Sequence, residues 1–135
     1  MKKNGFSLIE LVVAMGIVGI LAAIAIPAYT AYTKTANRTD ATRTMTSDAQ
    51  ALERCYSQSF TYVGCASGVS GPSAQGYYTV TVAPTANSFT ITATPRKSPQ
   101  TKDSDCATFT LNNAGTQGAS TSGGVANTQT CWGST

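Results

Sequence analysis

The strongest constraint on this chain is one apolar run near its start. Residues 6–26 read FSLIELVVAMGIVGILAAIAI, with Ser7 and Glu10 as the polar side chains. About twenty apolar residues cross a bilayer as a helix, so the run is expected outside any water-facing domain. A secretory signal peptide would end in a small-residue cleavage site after a shorter apolar core. Alanines do occur at residues 21–25, but the helical pattern continues past them, which favours a retained helix. Lys2 and Lys3 against the run favour an inside amino terminus, while Lys34, Arg38 and Arg43 beyond its far end pull the other way.

The rest of the chain, about 105 residues, has room for one domain with a marginal core. Staples are therefore expected. Cys55, Cys65, Cys106 and Cys131 fit no C-x-x-C redox or zinc spacing, and an even count in a small secreted domain reads as two disulfides. That implies an oxidising compartment, so the cysteines place the carboxy-terminal part outside. Of three pairings, Cys55–Cys65 would tie a helix end to the following loop. Cys106–Cys131 would tie the last strand to the tail, and this pairing is the expectation. Lys2 and Lys3 carry two of the three net positive charges, so the chain without them is close to neutral. No polybasic arm or acidic tail is present. The sequence has no histidine, which excludes Ser-His and Cys-His nucleophile pairs. No enzyme activity, metal or cofactor is expected.

After Pro27 the pattern becomes amphipathic. Ala41, Met45, Ala49, Leu52 and Tyr56 form one apolar stripe, and Arg38, Asp40, Arg43, Asp48 and Arg54 are expected on the opposite, solvated side. One long helix, residues 6–56, is expected, loosened near Pro27 by the missing backbone hydrogen bond. Residues 57–76 read as loop, with Ser-Gly and Gly-Pro turn signals. The period then changes to two. Tyr78, Val80 and Val82 alternate with threonines, residues 84–87 turn, and Phe89, Ile91 and Ala93 alternate again. Ala107, Phe109 and Leu111 mark a third strand. Three strands with one apolar face need a cover, which the helix stripe can supply. The fold class is therefore α+β, a long amino-terminal helix packed on a small antiparallel sheet. Residues 112–135, rich in Gly, Ser and Thr, show no period, and Trp132 beside Cys131 reads as a packing anchor.

The opening residues carry the most specific signal. Lys2, Lys3, Asn4, Gly5, Phe6, Ser7, Leu8, Ile9, Glu10 and Leu11 resemble the class III leader of type IV pilins and pseudopilins, and the match continues through residues 22–29. The resemblance implies the type IV pilin fold and cleavage after Gly5 by a prepilin peptidase, which also methylates the new Phe6 amino terminus. It divides the chain into a leader (1–5), a transmembrane and filament-core helix (6–29) and a periplasmic or extracellular head (30–135). Tyr77, Tyr78, Phe89, Ile91, Gln100, Asp103, Cys106, Phe109, Gly115, Cys131 and Trp132, with their spacing, look like PilE-type minor pilins. The implied partners are other pilins, the processing peptidase and methyltransferase, the inner-membrane assembly platform, and the membrane itself before assembly. The implied location is a single-pass inner-membrane protein, then the pilus at the cell surface.

Physical chemistry sharpens several residues. A carboxylate inside a membrane run costs about 2.5–3.5 kcal/mol, so Glu10 is a functional candidate. Its first-turn position suits the helix dipole, and the Phe6 amine of a neighbouring subunit is its expected partner. Snorkelling to headgroups is the bland alternative. Gly16, Gly19 and Pro27 either permit close helix packing or mark a segment that loses helicity on assembly, as the resemblance implies. Asp103 and Asp105 read as a solvated loop pair. Arg96, Lys97 and Lys102 form a small basic cluster, either a solvated loop or a contact for DNA phosphates. The expected function is a type IV pilus subunit, a minor pilin serving assembly, twitching, adhesion or DNA uptake. The alternatives are a pilin-like DNA-uptake receptor and a pseudopilin of a type II secretion system.

Overall fold

The computed structural model describes residues 5–133, so leader residues 1–4, with Lys2 and Lys3, lie outside the described residues. The chain forms two compact units, residues 1–32 and residues 33–135. Helix α1, Leu8–Ser59, supplies nearly all of the first unit and the covering helix of the second.

In the first unit the helix starts after Ser7, whose carbonyl accepts the Glu10 and Leu11 amides at 3.1 and 3.3 Å. Glu10 sits in the first turn. The most apolar stretch of the helix lies here, and none of it is buried. The helix is long and apolar enough to cross a membrane, and it continues through Pro27 without a break.

The second unit is a five-stranded antiparallel meander in the order β1 (Gly71–Pro72), β2 (Tyr78–Pro84), β3 (Phe89–Pro95), β4 (Thr108–Asn112) and β5 (Gln117–Ser120). Successive side chains of a strand point to opposite faces, so the period of two in the sequence becomes one apolar and one threonine-rich face. Val80 pairs with Ala93, Ala93 with Phe109, and Phe109 with Ala119. This row alternates large and small side chains, which lets the inner face interlock with Ala41, Met45 and Leu52 of α1, all fully buried. Thr81, Thr92 and Thr110 form the matching outer row, ending at Gly118. A Cβ at Gly118 would lie 2.5 Å from Thr110 Oγ1, so any larger residue would force the Thr110 side chain to move. A short helix α2, Thr128–Trp132, closes the tail.

Two disulfides staple this unit, Cys55–Cys65 and Cys106–Cys131, closing sequence separations of 10 and 25 residues. Loops of this size stabilise by about 3 kcal/mol each in the chain-entropy account.

Several expectations change. The structure has five strands where three were read. The short β1 lies inside the stretch read as loop, and β5 and α2 lie in the tail read as aperiodic. Strands of two and four residues are too short to show a period. Arg38 and Asp40 are not on a solvated face: they are 8% and 3% exposed. Asp103 is not a solvated loop residue either, being 4% exposed, whereas Asp105 is exposed. Each buried charge has partners that sequence spacing could not reveal.

Candidate functional site

The two units carry separate groups of candidate residues. In the first, Gly5 and Phe6 precede the helix, and Phe6 and Glu10 are both exposed. The large apolar side chains that follow are exposed as well, among them Leu11, Ile17, Leu21 and Ile24. Apolar surface on this scale marks a membrane or protein contact.

In the head, the candidate basic residues follow β3. The amides of Arg96 and Lys97 both donate to the Tyr77 carbonyl, at 2.8 and 3.3 Å, which folds the chain back across the start of β2. Both side chains are exposed, and Lys97 Nζ lies 5.8 Å from the Tyr77 ring centroid. Arg96 and Lys97 line a groove of about 370 Å³ with Gln75 and Gly76. Lys102 sits on a 3-10 turn, Gln100–Lys102, and lines a different groove of about 520 Å³ with Thr94, Ser104 and Ser122. The structure therefore brings Arg96 and Lys97 together and sets Lys102 apart.

Three bolts fix this loop to α1. Lys34 Nζ donates to the Lys102 carbonyl at 2.7 Å. Gln100, fully buried, donates from Nε2 to Tyr78 Oη at 2.7 Å and to the Lys34 carbonyl at 3.1 Å. Arg38 forms a bidentate pair with Asp103, with both nitrogen–oxygen distances 2.8 Å. Burial pushes the Asp103 carboxyl up, but the Arg38 hydrogen bond and charge outweigh it, so Asp103 titrates below the ordinary carboxylate range. The hydrogen bond from Arg38 to Asp103 also raises the guanidinium further. Burial pushes the Tyr78 phenol up to about 12, so it stays neutral beside Gln100.

A fourth bolt holds the opposite wall of the Arg96 groove. The Asp40 carboxylate accepts from Ser73 Oγ and from the Gln75 and Tyr77 amides, the latter two at 2.9 and 3.3 Å. Sequence reasoning missed the roles of Lys34, Arg38 and Asp40. A signal did exist in Gln100 and Asp103, which belonged to the minor-pilin likeness without any stated partner. No group of three or more metal-ligating side chains occurs among the described residues.

An apolar amino-terminal helix, with its second half laid on an antiparallel sheet and a disulfide-stapled head, defines a type IV pilin-like protein. Residues 1–26 match the family described as prokaryotic N-terminal methylation motif. Residues 27–110 match the family described as type IV minor pilin ComP, DNA uptake sequence receptor. That match covers more than half of the chain, and the chain belongs to this minor-pilin family. No curated protein matches it.

Proposed function

We propose that this chain is a minor pilin that enters the type IV pilus through its amino-terminal helix and presents its head as a receptor for DNA. The family match over residues 27–110 carries this reading, since that family is described as a DNA uptake sequence receptor. Supporting it, Arg96 and Lys97 stand exposed on one rigidly braced groove, where two cations can meet adjacent phosphates. Lys102 lines a different groove and stands outside this pair.

Assembly follows from the first unit. A prepilin peptidase cuts after Gly5 and methylates Phe6, the helix sits in the inner membrane with the head outside, and it then exchanges lipid for neighbouring pilin helices. Glu10 pairs with the Phe6 amine of the adjacent subunit, which offsets its burial. The role is structural and receptor-like, with no catalytic step.

The test uses the full chain in detergent micelles and a labelled DNA duplex, with affinity measured across a salt series. Arg96→Ala with Lys97→Ala should weaken binding and lower the salt slope by about 1 per lost phosphate contact. In cells, the same double variant should keep its pili and lose DNA uptake. Unchanged affinity and uptake would leave the second reading, in which the head works by packing against other pilins. That reading is favoured by the threonine-rich outer face of the sheet and the small number of head cations. A deletion strain with normal surface pili but a blocked secretion system would support a pseudopilin instead.

A further inference from the structure

A third groove, of about 450 Å³, lies between α1 and the β5 edge, away from Arg96 and Lys97. Trp132 lines it, together with Arg43, Thr46, Gln50 and Gln117. Its one aromatic ring is held firmly. Trp132 Nε1 donates to the Gly118 carbonyl at 2.9 Å, the ring meets Phe109 edge-on at 6.1 Å, and the adjacent Cys131 is bonded to Cys106. The Thr46 hydroxyl donates to the Thr42 carbonyl at 2.8 Å, whereas three other polar side chains of the groove are uncommitted. Arg43, Gln50 and Gln117 are exposed, and their side chains make no hydrogen bond or ion pair among the described residues. Thr42, Thr46 and Gln50 follow at four-residue intervals, so the helix presents them on one face.

A fixed aromatic ring, two free carboxamides and one cation without a carboxylate partner form a chemically specific set. The ring offers a stacking face. Each carboxamide offers a donor and an acceptor in one plane, the pattern that matches a base edge. The guanidinium suits a phosphate or a guanine edge. A neutral sugar would use the ring and the amides but not the charge.

We propose that this groove binds a single nucleobase displaced from the stack of a DNA strand. Trp132 is its stacking platform, Gln50 and Gln117 hold its edge, and Arg43 meets the edge or the adjoining phosphate. The proposal rests on the reading of the head as a DNA receptor and adds a base-sensing subsite to the phosphate groove. Stacking on a ring needs a base whose own face is free, so the groove takes an unstacked base and not the intact edge of a duplex.

Trp132 is the single tryptophan of the chain, so its fluorescence reports on this groove alone. The full chain in micelles is titrated with a single-stranded oligonucleotide and with an abasic strand of equal length and charge. The expected result is quenching by the first and little by the second. Arg43→Ala, Gln50→Ala and Gln117→Ala together should weaken oligonucleotide binding roughly tenfold or more. All three positions are exposed, so the fold is kept, and an unchanged melting temperature checks this. Arg96→Ala with Lys97→Ala should lower affinity yet leave the quenching at saturation intact. Equal quenching by the abasic strand, or DNA binding with silent Trp132 and a fully active triple variant, overturns the groove while the receptor reading stands. Quenching by a neutral oligosaccharide and not by DNA reassigns the groove to glycans. Failure of every DNA probe to bind overturns both readings.

Discussion

The two halves of α1 are one helix built for two solvents. In residues 8–32 the large apolar side chains point outward all round, while in residues 33–59 the buried positions narrow to Ala41, Met45 and Leu52 with their flanking charges. Backbone propensity barely separates these halves. The surroundings separate them: a helix apolar on every side needs lipid or other helices, whereas a single stripe needs one sheet. The charged residues obey the same contrast. Glu10 is an exposed carboxylate with no ion pair among the described residues, whereas Arg38 has Asp103 within its own head.

The largest expected effect would break this contrast at Glu10. Glu10→Leu should insert into the membrane as well as the parent or better, since a costly charge is gone. It should nevertheless be nearly absent from sheared pili. Parental levels in the pilus fraction, measured by immunoblot against the membrane pool, would show that the carboxylate has no part in assembly.

Next comes the internal pair. Arg38→Ala leaves Asp103 buried without its partner and should cost about 3–5 kcal/mol in denaturant unfolding of the head. Replacing both residues with apolar ones of similar size should recover most of that loss, because the uncompensated charge disappears.

A matched pair of leucines sharpens the comparison. Leu52→Ala, at a fully buried position, should destabilise the head by about 2–5 kcal/mol. Leu21→Ala, in the exposed half, should leave head unfolding within about 0.5 kcal/mol. It should act on incorporation into pili instead. Equal unfolding midpoints for the two variants would contradict the division into two units.

The smallest effect is electrostatic. Burial pushes the Asp48 carboxyl up to about 6, above its ordinary 3.8. A raised carboxylate favours the folded head at low pH, and that contribution is lost as pH rises through about 6. Asp48→Asn should therefore stabilise at pH 7, by less than about 1 kcal/mol for a partly exposed group. The gain should vanish below pH 3.8, where wild-type Asp48 is protonated in both states. Asp103 has the opposite sign. Its depressed value adds stability above the ordinary carboxylate range, which is lost as pH falls through the folded value. Thermal melts across pH, comparing Asp48→Asn and Asp103→Asn with the parent, should show shifts in opposite directions at neutral pH.

The sequence by itself determined what depends on neighbours along the chain. The apolar run, the helix stripe, the two longest alternating strands and the α+β class are all periodic patterns that local geometry enforces. Tertiary structure decided what depends on residues far apart. Arg38 meets Asp103 across 65 positions, and Asp40 reaches the Gln75 amide across 35. These contacts turned an expected solvated face into buried bolts. The same holds for the grooves: Arg96, Lys97 and Lys102 lie within seven residues, yet the turn between them sends them to two surfaces. Trp132 shares a groove with Arg43 and Gln50 only because the disulfide and β5 carry the tail back to the helix. A lone charge or amide has no period, so its partner is fixed only when packing brings distant segments together and desolvation makes an unpaired group costly.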